Sequence, residues 1–232
     1  MVDRDGQTQR TLHFFDSAAA GWTARYVHDA AVGARKARFQ EVIERRFSSP
    51  ADILDFGCGS GDIALHLSGA GHRLVGYDLS AQMVAAAEQA DSDHRVQWIV
   101  RDERVPDRLP FSDARFDAVV ASSVLEYIPD LEATLNELAR VLRPGGWLCA
   151  TVPDTRNPRR RRERWLRLAL AVPGFAQVFA RSRWQEGAAY LRISSNRMQP
   201  ETWERMLAAC GLAPTALPES TGPLLLITAR KV

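Results

Sequence analysis

The sequence has few of the features that mark a secreted, membrane-spanning or metal-holding protein. Its cysteines, Cys58, Cys149 and Cys210, are odd in number and far apart. That excludes a disulfide framework or a zinc knuckle and fits reduced, buried thiols in a cytoplasmic protein. The five histidines show no metal-ligand spacing, so no metal site is expected. No charged-then-apolar pattern of a signal peptide is present. The longest nearly apolar run, 168–180, is too short to cross a bilayer and is interrupted by Pro173-Gly174. Internal repeats are missing too.

With those classes set aside, the 232 residues fit one α/β domain with a sizeable core and a lid or insert. The net charge of +2 conceals an asymmetry. Residues 156–183 hold nine arginines and a single acid, Glu163, for a local charge of +8, and the remainder carries −6. A local basic patch points to one anionic partner or surface.

The most informative stretch is Ile53-Leu54-Asp55-Phe56-Gly57-Cys58-Gly59-Ser60-Gly61-Asp62. It reads as an apolar strand, an acid near its end, and a glycine-rich turn opening a helix. The spacing is G-x-G-x-G. The dinucleotide fingerprint G-x-G-x-x-G fails because position 62 is Asp. Asp55 would also repel a pyrophosphate, whereas it suits an ammonium or sulfonium. A second strand, 72–78, ends in Asp78, 21 residues after Gly57. An acid there can take both hydroxyls of a ribose. Alternatively, Asp78 or Ser80 caps the helix that follows.

Strands are expected at 51–56, 72–78, 95–100, 116–121 and 146–152. Helices are expected at 61–68, 80–90 and 130–142, with another at about 34–47. Asp130 is a candidate N-cap, and Leu131, Leu135, Leu138 and Leu142 recur at helical spacing before Arg143-Pro144-Gly145-Gly146 stops the helix. Such alternation implies a parallel sheet covered on both faces, with ligands beyond the carboxyl ends of the strands. Pro200–Cys210 reads as a last helix, followed by two strands at 213–217 and 224–230.

The glycine loop and Asp78, together with three further segments, resemble class I S-adenosyl-L-methionine (SAM)-dependent methyltransferases of the ubiquinone- and menaquinone-biosynthesis group. Those segments are Leu109–Asp117 (LPFSDARFD), Ala121–Asp130 (ASSVLEYIPD) and Leu138–Gly146 (LARVLRPGG). The resemblance covers about 50–153. It implies a Rossmann-like α/β fold with a seven-stranded, mostly parallel sheet, helices on both faces, an antiparallel last strand and a helical lid insert after the fifth strand. The chain is expected to divide into a loosely structured or helical N-terminal arm or cap (1–34), a SAM-binding core (35–153), a basic amphipathic lid insert (154–198), where the alternation breaks, and a C-terminal helix and β-hairpin completing the sheet (199–232).

Carried over by motif, Asp55, Gly57, Cys58, Gly59 and Gly61 would hold the methionine end of SAM. Asp78 would hold the ribose, and Leu79 would flank the adenine. Asp102 and Glu103 would face the adenine edge, in a segment longer than the family's usual one. Ser122 would line the cofactor floor. Glu126 and Tyr127 are the candidates for the catalytic, acceptor side, where relatives often carry Glu-His. Otherwise Glu126 caps a turn and Tyr127 packs. His13, Trp22 and Tyr26 lie in the arm that covers the pocket in relatives, and Phe14 and Phe15 are read as docking it on the core. Tyr190, Arg192, Asn196 and Arg197 approach the last helix, beside the acceptor.

In the insert, Trp165, Leu168, Ala169 and Val172 share one helical face flanked by arginines. That pattern fits a lid, a helix lying in a membrane interface, or both, with peripheral membrane contact through 156–183. Nucleic acid is disfavoured as a partner. The N-P-P-Y run of amino-group nucleic-acid methyltransferases is missing after the fourth strand, and the insert's aromatics are better explained by packing. The expected function is in-line methyl transfer from SAM to a small amphipathic or apolar molecule, with O-methylation favoured. The rivals are an NAD-type oxidoreductase and a non-catalytic SAM- or membrane-binding module.

Overall fold

The computed structural model describes residues 4–26, 30–102, 108–170, 185–215 and 220–232. Two helices come first, α1 (Arg4–Tyr26) and α2 (Ala30–Glu44). Strands and helices then alternate: β1 (Asp52–Phe56), α3 (Asp62–Gly69), β2 (Arg73–Asp78), α4 (Ala81–Ala90), β3 (Val96–Val100), β4 (Phe116–Ser122), α5 (Leu131–Val141) and β5 (Leu142–Pro153). The remainder is α6 (Pro158–Leu170), α7 (Gln185–Ile193), α8 (Pro200–Ala209), β6 (Leu212–Pro214), β7 (Ser220–Thr221) and β8 (Leu224–Lys231).

The strands form one sheet in the order β3-β2-β1-β4-β5-β8-β6, with the two-residue β7 also paired to β8. β1 to β5 run parallel, and β8 is antiparallel to β5 and β6. This is the expected Rossmann-like architecture. The order reverses between β1 and β4, so the crevice for a ligand opens beyond the carboxyl ends of those two strands. Asp55 and the glycine loop follow from β1, and Ser122 ends β4.

Period-two alternation places successive residues on opposite faces of the sheet. Leu54 and Phe56 join Leu135, Leu138, Trp203 and Leu207 on the side covered by α5 and α8. Ile53 joins Phe39, Ile43 and Leu67 on the side covered by α2 and α3. Asp130 caps α5 by accepting from the Ala133 amide at 3.2 Å. The helix ends one residue earlier than its leucine spacing suggests. Strand pairing already starts at Leu142, opposite Phe116, and Arg143-Pro144-Gly145-Gly146 forms a bulge before the register resumes at Trp147.

Other differences from expectation are local. The arm takes the helical of its two expected forms, but α2 begins at Ala30, so a boundary at 34 falls inside a helix. α1 is fastened by Ser80 Oγ donating to Asp16 at 2.5 Å, by Gln7 Nε2 donating to the Ile193 carbonyl at 2.7 Å, and by an Arg4–Asp130 ion pair at 2.7 Å. β6 covers only 212–214, and 216–219 lie outside the described residues. Within the insert, α6 and α7 are described and 171–184 are not. Among the described residues no helix is long and apolar enough to cross a membrane.

One contact links sheet packing to the site. Trp98 on β3 lies against β2 and the glycine loop, so that a Cβ at Gly76 would meet its ring at 2.4 Å and one at Gly61 would meet it at 2.5 Å. The Gly76→Val variant should therefore lose about 1–3 kcal/mol of stability by overpacking, measured by urea unfolding. An unchanged midpoint would show that Trp98 moves aside at no cost.

Candidate functional site

A cavity of about 830 Å³ opens at the reversal point. That is at the upper end of what one small ligand occupies, so a nucleoside and a second molecule can share it. Its inner end is the loop between β1 and α3. Gly57, Gly59 and Gly61 all have positive φ (+72°, +52° and +82°). Beyond Gly61, which packs against Trp98, the other two require glycine for different reasons. At Gly57 a Cβ would collide with Val124 at 2.4 Å. At Gly59 a Cβ would meet nothing within 4 Å, and the residue lines the cavity. There the left-handed backbone gives a ligand close access to the main chain.

Asp55 is 1% exposed, and neither carboxylate oxygen has a hydrogen-bond partner. Burial first, and the nearby Asp78 charge second, push its carboxyl up to about 8, against a weak opposing pull from the Ala64 amide. A buried, unpartnered carboxylate is costly unless something cationic joins it. Asp78 is held differently. Its Oδ2 accepts from the Gly59 amide and its Oδ1 from the Ser80 amide, both at 2.8 Å. Burial raises its carboxyl as well, opposed by those amides. Each oxygen keeps a free lone pair, so the pair can accept two adjacent hydroxyls. Ser80 meanwhile caps α4, accepting from the Met83 amide at 3.1 Å. The ligand-holding and helix-capping readings of this corner are thus compatible.

Cys58, Leu79, Ser122 and Trp22 also line the cavity. The Cys58 thiol is driven well above its usual range by burial and by the Asp78 and Asp55 charges, which keeps it protonated and inert. Asp102 is exposed and does not line the cavity, while its neighbour Arg101 does. The chain turns at the end of β3 so that the basic residue faces inward. Glu103 lies outside the described residues, as does the side chain of Tyr26.

The outer end is built from the turn after β4, a 3₁₀ segment at Leu125–Tyr127, together with α1, α6 and α7. Glu126 is buried. Its Oε2 accepts from Tyr190 Oη at 3.2 Å and from Ser194 Oγ. Tyr190 Oη in turn accepts from Arg160 Nη1 at 2.7 Å. Arg160 and Arg197 both donate to Glu163 Oε2, at 2.9 and 2.6 Å, and Arg197 Nε donates to Ser194 Oγ at 2.8 Å. The six residues close a ring of hydrogen bonds that contains two acids and two guanidinium groups. Glu126 also fixes the chain locally, because its carbonyl accepts from the amides of Ser195 and Asn196.

Tyr127 is buried between Phe15 and Tyr190, edge-on to both at centroid distances of 5.2 and 6.2 Å. Burial and the Glu126 charge hold its phenol well above its usual range, and burial likewise raises the phenol of Tyr190. Both remain neutral donors. Other expected contacts do not reach the cavity. His13 is exposed on α1, Arg192 is exposed on α7, and Trp165 is 72% exposed on α6.

Phe14 and Phe15, expected only to dock the arm, line the cavity, as do Arg160 and Glu163 of the basic run, for which the sequence gives no site role. The available signal was Glu163 itself, the one acid within the arginine run, placed three residues after Arg160. Among the described residues no group of His, Cys, Asp and Glu could hold a metal ion.

Comparison with known proteins agrees with this geometry. A family model described as a methyltransferase domain matches residues 54–150. The demethylmenaquinone methyltransferase of Chlorobaculum parvum is 32% identical over 185 residues, which is 78% of this chain and 71% of that one. The demethylmenaquinone methyltransferase of Staphylococcus saprophyticus is 34% identical over 145 residues, 60% of this chain. The match spans 61% of that relative's length and a smaller share of several others. A Burkholderia thailandensis N1-methyltransferase, solved with 1,6-didemethyltoxoflavin and S-adenosylhomocysteine, shares the fold over the whole chain and 92% of its own, with a TM-score of 0.67 at 18% identity. With the fold, the glycine loop and these relatives in agreement, the chain belongs to the class I SAM-dependent methyltransferases, in the group of the ubiquinone- and menaquinone-biosynthesis enzymes.

Proposed function

We propose that this protein transfers the methyl group of SAM to a small, amphipathic or apolar acceptor, most readily at an oxygen. The observation that carries this reading is the buried Asp55 carboxylate with neither oxygen partnered, beside a glycine loop that leaves room for a ligand. A cationic ligand end resolves that cost, and a pyrophosphate would add to it. This disfavours the NAD-type alternative. Asp78 would take the ribose hydroxyls with its remaining lone pairs, and Leu79 would pack on the base. Asp62, in the first turn of α3, adds a further carboxylate at the same end.

SAM supplies a methyl already activated by its sulfonium, so the protein's task is chiefly to orient the acceptor and exclude water. Phe15, Trp22, Tyr127 and Tyr190 give the outer cavity an aromatic wall suited to an apolar body. Glu126 would take the acceptor's proton, with Tyr190 and Ser194 fixing its carboxylate. α1, pinned over α4 by Asp16, would act as the cover. The aromatic wall favours an enzyme over a SAM-sensing module, since sensing needs no second compartment. Peripheral membrane attachment rests on α6, where Trp165 and Leu168 are 72% and 56% exposed beside exposed arginines. Residues 171–183, the rest of that stretch, lie outside the described residues.

Three outcomes follow from this assignment. A raised Asp55 pKa means the folded protein binds more protons than the unfolded chain between about pH 4 and 8. Ligand-free stability should therefore fall as pH rises through that window, and Asp55→Asn should remove this part of the slope in thermal melts across pH. SAM binding at pH 7 should release nearly one proton in the wild type and none in Asp55→Asn, read by calorimetry in buffers of different ionisation enthalpy. Proton-neutral binding in the wild type would sink the assignment of Asp55. Glu126→Gln should lower kcat by about 10²-fold or more with little change in KM, while the melting temperature stays within a few degrees. A drop in stability with kcat kept would assign Glu126 to structure alone.

A further inference from the structure

A second concave surface lies on the other side of α6 and has no part in the methyl-transfer reading. α6 separates the two. Arg159, Arg160, Glu163 and Leu166 face the cavity, and the adjacent stripe of Arg161, Arg164, Trp165 and Leu168 lines a groove closed by Pro153, Thr155, Arg197 and Gln199. Among the described residues, six arginines line this groove, Arg156, Arg160, Arg161, Arg164, Arg167 and Arg197, and no acid does. Arg156 is neutralised by Asp154, and Arg160 shares Glu163 with Arg197. Arg161, Arg164 and Arg167 form no ion pair among the described residues. No Asp or Glu occurs in the sequence between Glu163 and Glu186, and the acid whose charge acts on Arg167 is Glu126, on the cavity side of the helix.

Two observations show that the excess charge is built in rather than dispersed. Arg197, only 9% exposed, borders the groove with an incompletely paired guanidinium, its buried Nη2 having no hydrogen-bond partner. Arg167 is half-buried against the same group, and burial together with the Arg197 charge pulls its pKa down. Like charges are held together out of water only at a cost. That cost is relieved by an anion offering several acceptor oxygens, and guanidinium forks match phosphate oxygens bidentately. We infer that this groove is a binding site for a phosphate-bearing anion, separate from the cofactor cavity and joined to its acceptor wall through the Arg197–Glu163–Arg160–Tyr190 hydrogen bonds. The inference does not depend on the nature of the acceptor or on methyl transfer.

The test is calorimetric titration of the full chain with inorganic pyrophosphate at constant ionic strength, with and without saturating S-adenosylhomocysteine. One-to-one saturable binding is expected in both cases. The Arg161→Gln/Arg164→Gln variant changes two exposed residues outside the ring, so it should keep its melting temperature and bind about tenfold more weakly or worse. Co-sedimentation with phosphatidylglycerol vesicles, absent with phosphatidylcholine and reversed by pyrophosphate, would make a lipid headgroup the source of the phosphate. Pyrophosphate binding without co-sedimentation would make the source a soluble phosphate ester. Three results would overturn the site: no saturable binding, binding abolished by S-adenosylhomocysteine, or equal affinity in the variant.

Discussion

The site depends on one electrostatic constraint: two carboxylates, Asp55 and Asp78, end adjacent parallel strands on either side of a left-handed glycine loop. β1 and β2 pair in register from Asp52–Arg73 to Phe56–Tyr77, which fixes the separation of the two acids. The loop is then tied back to the second strand by the Gly57 amide on the Tyr77 carbonyl and by the Gly59 amide on Asp78. Asp78 thus fixes the loop while, in the proposed function, keeping lone pairs for the ribose. Asp55 serves nothing in the protein that would account for its burial. Its isolation is a local cost that the fold meets by keeping the carboxyl protonated up to about pH 8, and the proposed cationic ligand end is what would ionise it.

The same logic explains why the second half of the cavity is made of elements far apart in sequence. An acceptor compartment needs an apolar wall and a fixed polar group, and no single element supplies both. Phe15 comes from α1, Tyr127 from the turn after β4 and Tyr190 from α7, and they meet edge-on. The hydrogen-bond ring through Glu126, Tyr190, Arg160, Glu163, Arg197 and Ser194 locks α6 and α7 against that turn. Buried charges in such a ring are tolerated because each is opposed, and they reward a single arrangement more than they add stability. The geometry of the outer wall is therefore coupled to the position of α6.

How much of this was legible in the sequence follows from the range of each interaction. The glycine loop, Asp55, Asp78 and the alternating elements are local or register-determined, so pattern alone located them. The bulge at Arg143–Gly146 was read as a helix stop because Pro-Gly-Gly signals a break whether or not a strand has already begun. Asp102 was placed at the adenine end on the strength of its position after β3. The direction of the chain beyond that strand, which turns Arg101 inward, is a tertiary matter. Arg160 and Glu163 were invisible as site residues because their partners sit 30 or more positions away, at Tyr190 and Arg197. A solvated arginine edge and a half-buried network have the same one-dimensional pattern. Phe15 was assigned to docking and Trp22 to the pocket, yet the two rings touch at 5.6 Å and both line the cavity. On an arm that packs across the opening, docking and lining are one role.

The charge distribution resolves into a division across α6. The inner end of the cavity is acidic through Asp55, Asp62 and Asp78, and the far side of α6 is basic through an unopposed arginine stripe. Glu163 stands between them as the one acid of its segment and binds Arg160 and Arg197 with a single oxygen. If Glu163 were absent, both guanidinium groups would turn their full charge on the acceptor wall and on Arg167. With Glu163 and Glu126 together the two guanidinium groups of the ring are balanced on the cavity side, while Arg161, Arg164 and Arg167 on the groove side form no ion pair among the described residues. A helix whose faces differ so sharply in charge needs an internal counter-ion at the boundary, and the placement of that single glutamate allows one helix to border two chemically opposite compartments.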